Sequence, residues 1–181
     1  MIIVMGLPGA GKSTVLAVAE SAGWKVINYG TMMMEIASGE YGVKYRDEIR
    51  KLSNDKQRQI QAKIGEKLSA ENERNVILDT HCSVNTPTGY LPGLPFSFLP
   101  NISVERLVLV TAPIKDIMKR RKKDSSRTRD DQAEASLHEH DEINRAYLAA
   151  YSVITGAPAI ILTNAEGKLK QTQEKFAKLL E

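Results

Sequence analysis

Short apolar runs alternate with amphipathic segments along most of the chain. The runs are residues 2–5, 25–28, 75–79, 106–111 and 159–163. Each run has the length of a buried strand, and the segments between them place apolar side chains three or four positions apart, as amphipathic helices do. This alternation predicts an α/β fold in which a five-stranded parallel sheet carries helices on both faces.

Capping residues set the expected limits of the helices. Thr31 is predicted to cap the second helix, and Gly39 and Gly42 are predicted to end it. Ser53 or Asn54 is predicted to begin a longer helix. These positions divide the first half of the chain into regular elements joined by short connections.

One stretch breaks the alternation of strands and helices. It reads Thr86-Pro87-Thr88-Gly89-Tyr90-Leu91-Pro92-Gly93-Leu94-Pro95. Proline removes a backbone donor and glycine favours turns, so this composition predicts an irregular loop in which short helical turns are possible.

The first apolar run leads directly into a phosphate-binding motif. The motif G-x-x-x-x-G-K-[ST] is formed by Gly6-Leu7-Pro8-Gly9-Ala10-Gly11-Lys12-Ser13-Thr14. Its glycines let backbone N–H groups surround an anion, and the following helix directs its positive end to the same point. Lys12 can reach the β- and γ-phosphates, and the Ser13 hydroxyl can bind Mg²⁺. The motif predicts a P-loop NTPase fold that binds a nucleoside triphosphate; the alternative is a glycine-rich turn with a solvated lysine.

A carboxylate stands at the end of the third apolar run. Strands of a parallel sheet present their carboxyl ends at one edge, so Asp79 is expected near the phosphate-binding motif. We predict that Asp79 and Ser13 contribute to a Mg²⁺ site, while the alternative for Asp79 is a capping or turn residue. His81 and Cys82 have no second pair at zinc-binding spacing, so zinc is not expected.

Arginines form two clusters besides Lys12. One contains Arg46 and Arg50, and the other contains Arg120, Arg121, Arg127 and Arg129. The second cluster follows the fourth strand, and Arg120 could therefore meet a phosphoryl group; the alternative is a solvated basic helix end. Residues 119–131 are predicted to form a small mobile lid that excludes water, or else an ordinary surface loop.

The helix after the acidic segment carries further polar residues of two kinds. His138 and His140 lie two positions apart and are expected to pack or face solvent rather than bind a metal. Arg145 could reach the phosphates, or it could form a salt bridge with Asp141 or Glu142.

Composition narrows the class of protein. A chain of 181 residues with 42% hydrophobic and 26% charged residues fits one compact domain. The lone Cys82 excludes an internal disulfide and suits a reducing compartment, so we expect a cytoplasmic protein. No apolar stretch approaches the ~20 residues of a membrane span, and no signal peptide is expected. A net charge of +3 indicates no specific nucleic-acid binding, although the basic segment 119–129 leaves weak RNA binding open.

Several motifs together carry a family resemblance. They are residues 6–14, 29–33, 46–52, 79–81, 86–95, 127–130 and 139–146. Over nearly its whole length the chain resembles the archaeal-type adenylate kinases, a branch of the nucleoside monophosphate kinases. It departs from the bacterial and eukaryotic members at Ile36, where those carry arginine, and at residues 79–81, where those carry Phe-Pro-Arg.

The resemblance implies an activity and roles for single residues. The implied reaction is the reversible, Mg²⁺-dependent transfer of the γ-phosphoryl group of ATP to AMP, which gives two ADP. Thr31, Arg46 and Arg50 would contact AMP. Arg120 would bind phosphate between core and lid, Arg129 would belong to the lid, and both would act with Lys12 in catalysis. A homotrimer is also implied.

The resemblance further implies a division of the single domain. The core would comprise residues 1–29, 53–118 and 132–181, the monophosphate-binding segment about 30–52, and the lid about 119–131. Two alternatives remain at this stage: a kinase of another nucleoside monophosphate or small acceptor such as shikimate, and a nucleotide-dependent switch. The second alternative is disfavoured because the chain lacks the motifs Asp-x-x-Gly and Asn-Lys-x-Asp.

Overall fold

A computed structural model describes residues 1–49, 52–71, 74–86, 88–96, 99–123 and 134–181. Its strands are β1 (Ile2–Gly6), β2 (Lys25–Asn28), β3 (Val76–Asp79), β4 (Ser83–Thr86), β5 (Gly89–Pro92), β6 (Arg106–Thr111) and β7 (Ala159–Thr163). Its α-helices are α1 (Lys12–Ser21), α2 (Tyr29–Tyr41), α3 (Arg46–Ile49), α4 (Asn54–Ser69), α5 (Ile114–Lys123), α6 (Glu134–Thr155) and α7 (Leu169–Ala177). A short 3₁₀ helix spans Leu99–Asn101.

The main sheet contains the five predicted strands in the order β2-β3-β1-β6-β7, and all neighbouring pairs are parallel. β1 lies in the middle and is buried along its whole length. Since successive side chains of a strand point to opposite faces, the sheet needs a cover on both sides. The predicted fold class is therefore confirmed.

Two apolar clusters cover the two faces of the sheet. Ile3 and Met5 of β1 pack in one cluster with residues of α2, α4 and α6. Ile2 and Val4 pack in the other cluster with residues of α1, α5 and α7. Among the described residues, no helix is both long enough and apolar enough to cross a membrane.

The cap of α2 differs from the prediction. Asn28, not Thr31, is the N-cap, and its side chain accepts a hydrogen bond from the Thr31 backbone N–H. Thr31 lies within the first turn, because β2 passes into the helix without the turn that Gly30 suggested. Gly39 was also wrong as an end of α2, since the helix continues to Tyr41 and Gly42 forms the left-handed cap. Ser53 caps α4 as predicted.

The glycine- and proline-rich stretch contains the end of β4 and all of β5, so the prediction of an irregular loop was wrong there; Pro87 lies outside the described residues. The two strands pair antiparallel from Ser83 opposite Pro92 to Thr86 opposite Gly89. Pro92 is tolerated because a two-stranded hairpin has only edge strands. Tyr147 on α6 donates its hydroxyl proton to the Tyr90 carbonyl oxygen at 2.9 Å. This anchor comes from a distant helix, so no local pattern predicts it.

Candidate active site

The phosphate-binding loop follows the predicted course between β1 and α1. Gly11 immediately precedes the helix in the left-handed conformation, with φ of 85°. A Cβ atom at Gly11 would overlap the side-chain amide of Asn164, which lies just after β7. Glycine is therefore required here both for the backbone conformation and for the close approach of a second element.

Side chains from two other elements hold the outside of the loop. Arg120 and Asn164 both donate to the Ala10 carbonyl oxygen, at 3.2 and 3.0 Å. Arg121 donates from Nε to the Pro8 carbonyl oxygen at 2.8 Å. These donors bind the carbonyl oxygens of Ala10 and Pro8, so side chains from outside the loop stabilise its backbone conformation.

Lys12 forms an ion pair with Asp79 at the carboxyl edge of the sheet. Its Nζ atom donates to Oδ1 of Asp79, and both side chains are largely buried. Burial lowers the pKa of Lys12, and the neighbouring carboxylate opposes that effect. The motif lysine and the β3 carboxylate thus lie together, as their positions at the strand ends predicted.

Asp79 also contacts the first turn of α2 through Asn28. The Asn28 Nδ2 atom donates to Oδ2 of Asp79 at 2.8 Å. Oδ1 of Asn28 accepts from the Thr31 backbone N–H at 2.9 Å and from the Thr31 hydroxyl at 3.1 Å. A continuous series of polar contacts therefore joins Lys12 to Thr31, and we call Lys12, Asp79, Asn28 and Thr31 the edge relay.

Ser13 and Asp79 supply oxygen donors that suit a hard cation. Ser13 is exposed in the first turn of α1, while Asp79 is buried at the end of β3. Among the described residues, no group of three or more His, Cys, Asp or Glu side chains could hold a metal ion. One hydroxyl and one carboxylate fit Mg²⁺, which commonly uses one or two protein ligands together with substrate phosphates and water.

Two cavities differ in their relation to the loop. A cavity of about 250 Å³ adjoins the loop and is lined by Gly11, Thr14, Arg120, Asn164, Glu166 and Leu169, among others. A larger cavity of about 590 Å³ lies at the opposite end of the sheet, where Met1, Asn75 and Glu105 line it. Ligands of open parallel sheets bind at the carboxyl ends of the strands, so the smaller cavity belongs to the site.

The predicted arginines are only partly described. Arg120 lies at the loop as expected, beside Glu166 at 3.6 Å. Arg46 begins α3, but its side chain is not described. Arg50 and Arg129 lie outside the described residues, and so do residues 124–131 of the predicted lid; residues 119–123 form the end of α5.

Asn28 and Asn164 are site residues that sequence reasoning missed. Each stands at or just after the carboxyl end of a parallel strand, β2 for Asn28 and β7 for Asn164. Asp79 was predicted to lie near the site because it stands at the carboxyl end of a strand, and the same criterion would have identified Asn28 and Asn164. Arg121 was recognised only as part of a basic cluster, and its contact with the loop needed the path of α5.

Residues of α6 form a second buried polar group behind the site. His140 places Nε2 at 3.1 Å from Oγ of Ser83, and that hydroxyl donates to Oδ1 of Asn144 at 2.6 Å. Burial lowers the pKa of His140, so the neutral ring is favoured. Arg145 binds Asp141 at 3.0 Å, which confirms the salt-bridge alternative. His140 is buried, which confirms the packing interpretation, and His138 is exposed to solvent.

The loop, its lysine and the strand-end carboxylate on a five-stranded parallel sheet define a P-loop nucleotide-binding protein. A family model described as an AAA domain matches residues 5–138. The shikimate kinase of Acinetobacter baumannii, solved in complex with shikimate, covers 99% of this chain and 91% of its own at a TM-score of 0.61 and 20% identity. A shikimate kinase from Bacteroides thetaiotaomicron has a TM-score of 0.59 at 13% identity, covering 99% of this chain and 97% of its own. At these identities the likeness shows the fold alone.

Sequence relatives over the full length are more specific. The adenylate kinase of Thermoplasma volcanium is 42% identical over 98% of this chain and 98% of that protein. The adenylate kinase of Methanopyrus kandleri is 41% identical over 97% of this chain and 95% of that protein. The chain therefore belongs to the adenylate kinase family, and the resemblance that its motifs indicated is confirmed.

Proposed function

We propose that this protein catalyses reversible transfer of the γ-phosphoryl group from ATP to AMP, producing two ADP. The observation that carries this proposal is the edge relay, because it joins the phosphate-binding loop to the first turn of α2 through two residues. A donor phosphate at Lys12 and an acceptor phosphate near Thr31 would lie on the same edge of the sheet. Positioning of this kind supplies most of the catalysis in phosphoryl transfer.

The donor side is assigned to residues 6–14 and the adjoining cavity. The loop would hold the phosphates of ATP, and the cavity of about 250 Å³ would take the adenine base beside Arg120. Its volume lies below the range of about 300–1,000 Å³ for whole-ligand pockets, so it fits a base better than a nucleotide. Lys12 would leave Asp79 and neutralise charge on the γ-phosphoryl group.

The acceptor side is assigned to the segment of about residues 30–52. Thr31 is exposed at the start of α2, where backbone N–H groups favour an anion. Arg46 and Arg50 are proposed to bind the AMP phosphate. Arg129, within the proposed lid of about residues 119–131, and Arg120 would stabilise the phosphoryl group during transfer.

Ser13 and Asp79 would hold Mg²⁺ together with the nucleotide phosphates. The ion, when bound, would offset the negative charge of the phosphates. We also propose a cytoplasmic homotrimer, on the support of the family resemblance and the lone buried Cys82. Native mass spectrometry should then show three protomers of 20.0 kDa each, and a monomer at micromolar concentration would contradict the trimer.

A screen of acceptors tests the reaction directly. Purified protein is incubated with Mg·ATP and, separately, AMP, CMP, UMP, GMP or shikimate, and the products are separated by chromatography. AMP should give ADP at by far the highest kcat/KM. Turnover with another acceptor but not with AMP would overturn the proposal and favour the alternative of a different small-acceptor kinase.

A further inference from the structure

Asn28 uses both ends of its side-chain amide in the edge relay. Asp79 offers only acceptors, so it must face the NH₂ group of Asn28; the Thr31 backbone N–H is a donor, so it must face the carbonyl oxygen. Capping alone does not require this residue, since Ser, Thr and Asp cap helices about as well. A donor and an acceptor on one planar group are needed to span Asp79 and Thr31 together.

The backbone fixes where Asn28 stands. Asn28 and Asp79 are register partners on the parallel strands β2 and β3, and each is the last residue of its strand. Asn28 is at the same time the N-cap of α2. Any displacement of the Asp79 carboxylate is therefore transmitted to the first turn of α2 through one short side chain.

We infer that Asn28 is a positioning residue that couples occupation of the phosphate-binding loop to the affinity for the acceptor, an inference that rests on the proposed function. When a triphosphate takes the ammonium group of Lys12, Oδ1 of Asp79 is left to the Mg²⁺ ion proposed above, and the carboxylate, fixed in orientation, holds the Asn28 amide through Oδ2 more firmly than it does beside a flexible lysine. The firmer contact orders Asn28 and, through Oδ1, the backbone at Thr31. AMP then binds more tightly, because the first turn of α2 is already ordered and less conformational entropy is lost on binding.

Two substitutions separate coupling from capping. In Asn28→Ser the hydroxyl can still cap α2, but it is too short to reach Asp79 as well. In Asn28→Ala both contacts are lost, and the melting temperature should fall further than in Asn28→Ser. Ser53→Ala removes the cap of α4, which lies outside the edge relay, and serves as the matched control for loss of a helix cap.

The measurement is calorimetric titration of AMP into the protein with and without a saturating non-hydrolysable ATP analogue and Mg²⁺. In the wild type the analogue should lower the Kd for AMP by about fivefold or more, the range of typical coupling between sites. In Asn28→Ser and Asn28→Ala this ratio should fall to within about twofold of one, while Ser53→Ala keeps it. The reverse titration must give the same ratio.

Two results would overturn the inference. One is a wild-type ratio that survives in Asn28→Ser, which would reduce Asn28 to a helix cap. The other is a wild-type ratio of one. Because ADP formation by the wild type is measured separately, either result can occur while the proposed reaction stands, so the two failures are distinguishable.

Discussion

The phosphate-binding loop and the β4–β5 hairpin are shaped by different kinds of contact. Both follow a buried strand and both contain glycine and proline. The loop passes directly into α1, and its conformation depends on its own glycines, with Arg121 and Asn164 as outer supports. The hairpin depends on a distant helix, because Tyr147 and Tyr151 of α6 hold its backbone. A segment shaped by its own residues is recognisable as a motif, whereas one shaped by a distant helix is not.

Removal of the loop's lysine should have the largest effect. Lys12→Ala removes the cation that would neutralise the γ-phosphoryl group, and kcat should fall by about 100- to 1,000-fold. Steady-state formation of ADP measures the change. Lys67→Ala, on the exposed last turn of α4, is the control and should retain wild-type kcat. A Lys12→Ala protein with kcat within a few-fold of wild type would refute the assigned role.

The hairpin should instead respond in stability. A Cβ atom at Gly93 would overlap the His81 carbonyl group, which is backbone and cannot move aside. Gly93→Ala should therefore lower the free energy of unfolding by about 3 kcal/mol, the upper end for overpacking. Urea denaturation followed by circular dichroism gives the value.

Gly39→Ala is the matched control for that substitution. Gly39 lies inside α2, and among the described residues an added Cβ would meet nothing within 4 Å beyond its own helix. The control should stabilise the protein by about 0.5–1 kcal/mol, as alanine does in place of glycine in a helix. Equal effects of the two substitutions would mean that the close approach at Gly93 is not restrictive.

The same contrast explains what sequence could predict. The strand limits at β2, β6 and β7 follow from local patterns, and the position of Asp79 near the phosphate-binding motif follows from the geometry of a parallel sheet. The choice of Asn28 over Thr31 as the cap of α2 does not, because both are good caps and the outcome depends on where β2 ends. The hairpin could not be predicted either, since its anchors lie about sixty positions along the chain.

The anchors themselves offer a smaller and more local test. The Tyr151 hydroxyl donates to the Cys82 carbonyl oxygen at 2.9 Å and accepts from the Leu94 N–H at 3.3 Å. Burial raises the pKa of Tyr151, so the hydroxyl stays protonated as this donor requires. Tyr151→Phe should cost about 1–2 kcal/mol of unfolding free energy, because it takes the acceptor from the buried Leu94 N–H and one of two donors from the Cys82 carbonyl oxygen, which keeps the Gly93 N–H at 2.9 Å.

Tyr147→Phe serves as the companion of Tyr151→Phe. In the described part of the chain its hydroxyl makes one hydrogen bond, to the Tyr90 carbonyl oxygen, in a partly buried position. The cost should be about 0.5–1 kcal/mol, the usual net value of one hydrogen bond. If neither tyrosine variant lowers the midpoint of urea denaturation, the hairpin does not depend on α6 and the comparison with the loop fails.

The smallest expected effect is a pH dependence of stability that arises from His140, which contacts Ser83 of β4. The pKa of His140 is lowered in the folded protein by burial, so the unfolded chain binds more protons near and below its ordinary value of about 6.5. The contribution of His140 to the free energy of unfolding is therefore fully present above that value and is lost as pH falls toward the folded pKa. The free energy of unfolding then falls by at most about 1.4 kcal/mol per pH unit. His140→Gln should flatten this decline relative to wild type between pH 7.5 and 5.5, whereas His138→Gln, at an exposed position, should not. An undiminished decline in His140→Gln would mean that the contact with Ser83 does not depend on the charge of that ring.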